Sequence, residues 1–256
     1  MVTAFEHYLK QKRREKEILL MTHIVLAYPS WEDSREIVRV MVENGVDLME
    51  LQIPFSEPMA DGPVILKANQ RALERGVTVQ QCLDFAVETA RTYPIPFLIM
   101  TYYNILYRYG VGRFAWTLKE GGLKGAIVPD LPPEEGRDYL EEMKKNDLAP
   151  ILFYSPTTSN PRMQYIASLA RGFIYCLSRK GVTGAETRFS AELAAYLKRC
   201  RENTDLPLAV GFGVKEKGDV DFLKGQADIA VIGSQTIRIM EKEGLRGVER
   251  FLKRLS

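Results

Sequence analysis

The chain has 256 residues, of which 46% are hydrophobic and 27% are charged, the composition of an ordinary soluble globular protein with one large core. Its 35 basic and 33 acidic residues leave a formal net charge of +2, so no global field indicates nucleic acid or an anionic membrane as a partner. Charged residues from Lys10 to Glu17 interrupt the amino-terminal stretch, so we expect neither a signal peptide nor a membrane span there.

The cysteines are few and show no metal-ligand spacing. They are Cys82, Cys176 and Cys200, an odd number in a chain of this length. Free thiols are typical of a reducing compartment. We therefore expect a cytoplasmic protein without a metal site.

The first elements of the chain are a helix and two strands. Phe5, Tyr8 and Leu9 recur at helical spacing and predict an opening helix with one apolar stripe. A strand over 21–27, a helix over 32–44 and a second strand that carries Glu50 follow. The segment 63–92 is predicted to be helical with a break near Gly76.

The rest of the chain repeats one pattern. Apolar runs that are continuous rather than alternating predict buried parallel strands at 96–101, 125–128, 149–154, 172–177, 207–211 and 228–232. Helices are predicted between and after them at 111–120, 134–145, 161–170, 190–203, 215–224 and 243–255. Eight strand-helix units without a linker favour an α/β fold, a single-domain (β/α)8 TIM barrel over 1–256 with an extra N-terminal helix, over an open sheet.

The second strand carries a carboxylate in an apolar setting. By alternation Glu50 points away from Met49 and Leu51 and toward the same side as Gln52. In a closed barrel this places Glu50 inside, near the carboxyl end of the strand, where a positioned carboxyl group can act as a general acid or base. A second carboxylate, Asp61, follows in the loop. The alternative is a glutamate paired with a lysine or arginine, with Asp61 starting a turn.

Glycines follow the last two predicted strands, in Gly211-Phe212-Gly213 and Gly233-Ser234. Glycine lets backbone amides approach an anion, and a helix beginning after Ser234 would direct its free amides toward it. Barrel enzymes often bind phosphate with these two loops. The alternative is that both are only tight turns. After the sixth strand, 178–188 has no apolar periodicity and is typical of a loop that covers an active site or of a passive surface loop.

Several segments together resemble one family. They are Glu50-Leu51, Ile53-Pro54-Phe55-Ser56, Pro58, Ala60-Asp61-Gly62-Pro63, Ser178-Arg179, Gly181-Val182-Thr183-Gly184-Ala185-Glu186 and Gly211-Phe212-Gly213. In this order they resemble the tryptophan synthase alpha subunit family over essentially the whole chain. The resemblance implies a TIM barrel and retro-aldol cleavage of indole-3-glycerol phosphate to indole and glyceraldehyde 3-phosphate, without a metal or organic cofactor.

The resemblance also implies roles for individual residues. Glu50 would shuttle protons, and Asp61 would stabilise positive charge that develops toward the indole nitrogen. Family positions for substrate contacts correspond to Tyr175, Thr183, Tyr102, His23 and Met100, with Thr183 hydrogen-bonding Asp61. Family phosphate positions correspond to Gly184, Phe212, Gly213, Gly233 and Ser234. Tyr175 by itself could equally be a core residue.

Four positions depart from the family pattern. Gln52 replaces a glycine, and its side chain would crowd the indole or hydrogen-bond Glu50. His23 replaces an aromatic residue of the indole pocket, Glu57 replaces an aspartate, and Lys180 adds a charge to the covering loop.

The partner implied by the resemblance is a tryptophan synthase beta subunit, in an alpha-beta-beta-alpha tetramer with allosteric communication. Pro54, Phe55, Pro58 and Met59 would lie exposed in the loop that faces it. A stand-alone lyase that releases indole and a weakly catalytic homologue that acts as an allosteric partner are the alternatives.

Overall fold

Eight parallel strands form the centre of the molecule and close into a barrel. The computed structural model describes residues 3–177, 191–211 and 213–255. Within them the strands pair in chain order, and the first pairs with the last. They are β1 (Leu19–Val25), β2 (Leu48–Gln52), β3 (Phe97–Met100), β4 (Gly125–Ile127), β5 (Ala149–Tyr154), β6 (Ile174–Leu177), β7 (Leu208–Gly211) and β8 (Ile229–Ile232). The predicted TIM barrel is confirmed.

Helices surround the barrel. In the described residues they are α1 (Ala4–Glu15), α2 (Trp31–Glu43), α3 (Pro63–Glu74), α4 (Val79–Thr92), α5 (Tyr103–Tyr109), α6 (Val111–Gly121), α7 (Arg137–Lys145), α8 (Asn160–Leu169), α9 (Ala191–Arg201), α10 (Lys217–Leu223) and α11 (Ser234–Leu255). None of these helices has both the length and the apolar character needed to cross a membrane.

Two helical features differ from the sequence prediction. The short helix α5 was not predicted, because its seven residues are rich in tyrosine, which has modest helix propensity. The last predicted helix is the second half of α11, which begins at Ser234 and bends at Gly244, where φ is 64°. The break near Gly76 between α3 and α4 is confirmed.

The apolar side chains form two main layers. Met49 and Leu51 pack outward between the barrel and the helices. Leu48 packs inside the barrel with residues such as Leu98 and Ile151. This alternation confirms that Glu50 and Gln52, which lie on the same side of β2 as Leu48, face inward.

The amino-terminal helix closes one end of the barrel. Thr3 and Glu6 form a reciprocal capping box that starts α1. Phe5 from this helix packs edge to face on Phe173, with ring centroids 6.3 Å apart. Since a Cβ on Gly172 would lie 2.7 Å from the Phe5 ring, the close approach requires glycine. Because α1 covers the amino-terminal end of the barrel, a functional site is expected at the opposite end, where the strands have their carboxyl ends.

Candidate active site

A cavity of about 350 Å³ lies at the carboxyl ends of the strands. It brings together most of the residues singled out from the sequence: His23, Glu50, Asp61, Met100, Tyr175, Gly213, Gly233 and Ser234. Thr183, Gly184 and Phe212, and with them the whole covering loop and Lys180, lie outside the described residues. The chain thus places two carboxylates and a glycine-rich end in one enclosed space.

Glu50 is held by a histidine on the neighbouring strand. The parallel register of β1 and β2 sets His23 beside Glu50, and His23 Nδ1 lies 3.1 Å from Glu50 Oε1. The exposed fractions of the two residues are only 3% and 4%. The sequence alternative, a glutamate paired with a lysine or arginine, does not match this contact. Glu50 also borders the cavity, so its carboxyl group can reach a bound molecule.

Asp61 is anchored by two buried side chains. Gln52 Nε2 donates a hydrogen bond of 2.6 Å to Asp61 Oδ2, and the Tyr102 hydroxyl donates one of 3.0 Å to the same oxygen. The Tyr102 oxygen in turn accepts a hydrogen bond of 3.2 Å from the backbone nitrogen of Ala60. The loop carboxylate is therefore fixed to the last residue of β2 and to a residue just after β3.

This environment changes the acidity of Asp61. Burial raises the pKa of Asp61, and the nearby Glu50 charge raises it further, while His23 and the hydrogen bonds from Gln52 and Tyr102 oppose the rise. The net effect is upward. Asp61 can therefore exchange a proton at a higher pH than an aspartate in water.

Tyr175 faces the interior and the cavity from β6. It packs against Phe153 with ring centroids 5.4 Å apart. A Cβ on Gly211 would lie 2.4 Å from the Tyr175 ring, so only glycine leaves space for the ring in this position. Burial, with the charges of Glu50 and Asp61, raises the pKa of Tyr175 well above its usual value, so its hydroxyl keeps its proton.

Glycines and cations also line the cavity. Gly213 has a φ of 114°, a conformation that side-chain-bearing residues rarely adopt, and Ser234 starts α11. Lys215 and Arg238 are the cations, and the sequence analysis missed both. Arg238 follows Ser234 by four residues, a helical spacing that could have indicated a shared face.

Three expectations about neighbouring residues are corrected. Gln52 hydrogen-bonds Asp61 instead of Glu50, because it lies two residues closer to the strand end than Glu50 and so nearer to the loop that carries Asp61. Gln52 is also not among the residues that line the cavity. Pro54 and Pro58 are buried rather than exposed. Phe55 is half-buried because its ring stacks on Tyr102 at 5.1 Å, which leaves Met59, at 72% exposure, as the large exposed apolar residue of this loop.

Comparison with known proteins gives one consistent result. A family model described as "Tryptophan synthase alpha chain" matches residues 9–255. Among curated relatives, the tryptophan synthase alpha chain of Desulforapulum autotrophicum is 61% identical over 251 residues, which are 98% of this chain and 99% of that protein. The corresponding protein of Syntrophotalea carbinolica is 60% identical over 250 residues, again covering 98% and 99%.

Solved structures agree with the relatives. Mycobacterium tuberculosis tryptophan synthase matches with a TM-score of 0.93 at 30% identity, covering 100% of this chain and 97% of that one. The tryptophan synthase subunit alpha of Legionella pneumophila matches with a TM-score of 0.91 at 30% identity and the same coverage. At this identity and overlap the similarity extends to the whole barrel.

Proposed function

The chain belongs to the tryptophan synthase alpha chain family, and on that basis we propose that Glu50 and Asp61 carry out the proton chemistry of its reaction. The protein is a lyase of tryptophan biosynthesis that cleaves indole-3-glycerol phosphate to indole and glyceraldehyde 3-phosphate. The observation that carries the residue assignment is that Glu50 and Asp61 line the same cavity.

The reaction requires two proton movements. The indole ring carbon must be protonated to become part of a leaving group, and the adjacent glycerol hydroxyl must lose its proton as the carbon-carbon bond breaks. Glu50 performs both transfers in this proposal, since one carboxyl group can give a proton to one atom and take one from the other. Asp61, held by Gln52 and Tyr102, stabilises positive charge at the ring nitrogen.

The glycine-rich side is the proposed phosphate end. Gly213, Gly233 and Ser234 border the same cavity as the carboxylates, and α11 begins at Ser234, where a helix amino terminus favours an anion. Tyr175 and Met100 are proposed to contact the indole between the two ends. Binding the substrate at both ends makes the bond cleavage effectively intramolecular.

The family also implies partnership with a beta subunit, and for this chain we propose an alpha-beta-beta-alpha tetramer. Met59 is the large exposed apolar side chain that the Asp61 loop offers to a partner. Cys82, Cys176 and Cys200 are all free and buried, which supports a cytoplasmic location.

The residue assignment is tested with Glu50→Gln. An amide of the same shape cannot transfer a proton, so the rate of indole formation should fall by at least about two orders of magnitude. The matched control is Glu57→Gln in the same stretch, where the side chain is exposed. Cleavage by Glu50→Gln at a near-normal rate would show that another group transfers the proton.

A further inference from the structure

The contact between His23 and Glu50 joins two groups that can share one proton. Nδ1 of the ring and Oε1 of the carboxyl group are 3.1 Å apart, and both side chains are almost fully buried. Because backbone pairing between β1 and β2 sets these residues side by side, the contact does not depend on a mobile loop. An imidazole and a carboxylate at this distance form a charge-assisted hydrogen bond when the ring is protonated.

The second ring nitrogen, Nε2, and the side-chain oxygen of Gln52 bear on the protonation state of His23. His23 Nε2 and Gln52 Oε1 are both buried and have no hydrogen-bond partner among the described residues. A neutral ring that donates from Nδ1 presents a lone pair at Nε2, whereas the protonated ring presents an N–H group there. The Gln52 side chain donates a hydrogen bond to Asp61 through Nε2, so its oxygen Oε1 is available to accept a hydrogen bond from His23.

We propose that His23 stores a proton for Glu50, with one proton shared between His23 Nδ1 and Glu50 Oε1 and with Gln52 Oε1 accepting from the opposite side of the protonated ring. The proposal rests on the role of Glu50 proposed above. A general acid has to be protonated when it acts, yet a carboxyl group in water is ionised at neutral pH. Transfer from Nδ1 to Oε1 converts imidazolium and carboxylate into imidazole and carboxylic acid, with no change in net charge and no co-reactant.

In this role His23 is a positioning residue, because it acts through Glu50. Burial lowers the pKa of His23, but the hydrogen bond and charge of Glu50, the charge of Asp61 and the Gln52 side chain outweigh burial and raise it above 6.5. Tyr175 on β6 and Tyr102 after β3 stay neutral, because their pKa values are raised. The other charged groups that line the cavity are Lys215 after β7 and Arg238 on α11.

The protonation state can be measured without the reaction. The chain has two histidines, His7 and His23, and His7 is exposed on α1, away from the cavity. In a sample with 15N-labelled histidine, we expect the His23 ring to titrate above pH 6.5. Glu50→Gln should lower that midpoint by at least about one pH unit.

A smaller downward shift of the His23 midpoint is expected in Gln52→Met, which removes the acceptor and keeps the side-chain volume. A His23 midpoint at or below the ordinary histidine value in the unmodified protein, or a midpoint that does not move in Glu50→Gln, would overturn the proposal.

Kinetics give the second measurement. The alkaline fall of kcat/KM for indole-3-glycerol phosphate should coincide with the His23 midpoint found by NMR. His23→Asn keeps an N–H donor near the position of Nδ1 but cannot store a proton. In this variant the fall should move to lower pH by at least about one unit. His23→Phe loses the donor as well and should also lower kcat at neutral pH by about tenfold.

An alkaline fall at the same pH in His23→Asn would overturn the storage role. Different results would contradict the proton-storing role of His23 and the acid role of Glu50. Normal cleavage by Glu50→Gln would remove Glu50 as the acid, whereas the NMR titration tests the shared proton whether or not the enzyme turns over.

Discussion

The side-chain amide of Gln52 lies 2.6 Å from Asp61 Oδ2 and so connects the last residue of β2 to the carboxylate of the loop that follows it. Gln52 is fully buried, whereas Asp61 reaches the cavity. The barrel, which is the rigid part of the fold, thus sets the position of a group carried by a loop.

Removing this amide should affect both rate and pH dependence. Gln52→Met keeps the volume but removes the hydrogen bond, and a hydrogen bond to a charged group contributes about 1.5–3 kcal/mol, so kcat should fall by about tenfold or more. Because that hydrogen bond lowers the pKa of Asp61, its loss should raise the pKa. The acidic limb of kcat/KM should therefore move to higher pH, as a pH-rate profile would show.

The control for this variant is Gln70→Met, an exposed glutamine on α3. It should leave the profile unchanged. An acidic limb that stays in place in Gln52→Met would mean that ionisation of Asp61 does not control it.

Gly213 provides a test of the phosphate end. It lies on the cavity wall, and its φ of 114° is a backbone conformation that a branched residue rarely adopts. Gly213→Val should weaken the binding of glycerol 3-phosphate, measured by calorimetry, by at least about tenfold. Gly225→Val is the matched control, since Gly225 also has positive φ (75°) but has open space around it. If both variants bind glycerol 3-phosphate equally well, the phosphate group does not bind at Gly213.

Met59 should contribute to the binding of the beta subunit. Adding a beta subunit from the same source should raise indole formation by at least about tenfold, or about 1.4 kcal/mol of coupling. Met59→Asp should weaken the complex and reduce this activation, because it puts a charge on a side chain that is 72% exposed. The control is Tyr165→Asp, an exposed apolar residue on α8. Analytical ultracentrifugation would measure complex formation.

The alternatives to this partnership predict other results. Full activity of the isolated chain with no detectable complex would indicate a stand-alone lyase. A complex whose alpha chain makes no indole would indicate a regulatory homologue.

Asp228 should affect stability but not catalysis. It lies just before β8, where its carboxylate accepts a hydrogen bond of 2.7 Å from the Leu208 backbone nitrogen and pairs with Arg13 and Arg201. Asp228→Asn should lower the free energy of unfolding by about 2 kcal/mol. The kcat should not change, because the residue is at the end of the barrel opposite the cavity.

Chemical denaturation would measure this loss, and Asp221→Asn is the control. Asp221 on α10 forms an exposed pair with Lys224, the residue after that helix, and such surface pairs contribute at most about 1 kcal/mol. Equal effects of the two substitutions would show that the Asp228 pairing adds no more stability than an exposed pair.

The amino-acid sequence alone was sufficient to predict the barrel. Buried parallel strands appear as continuous apolar runs, and eight such runs alternate with helical segments, so the elements and their order were readable locally. The inward direction of Glu50 followed from strand alternation, and the glycines after β7 and β8 indicated the phosphate end that we propose. Family motifs then supplied the reaction, which no local pattern could identify.

Tertiary structure decided how the site residues interact. Gln52 was expected near Glu50 but meets Asp61, and His23 was expected to face the indole but also hydrogen-bonds Glu50. His23 and Glu50 are 27 positions apart in the chain, and their contact exists only in the register that β1 and β2 adopt in the closed barrel. Since a shift of one residue would turn every side chain of a strand to its other face, such contacts depend on the packing of the whole barrel.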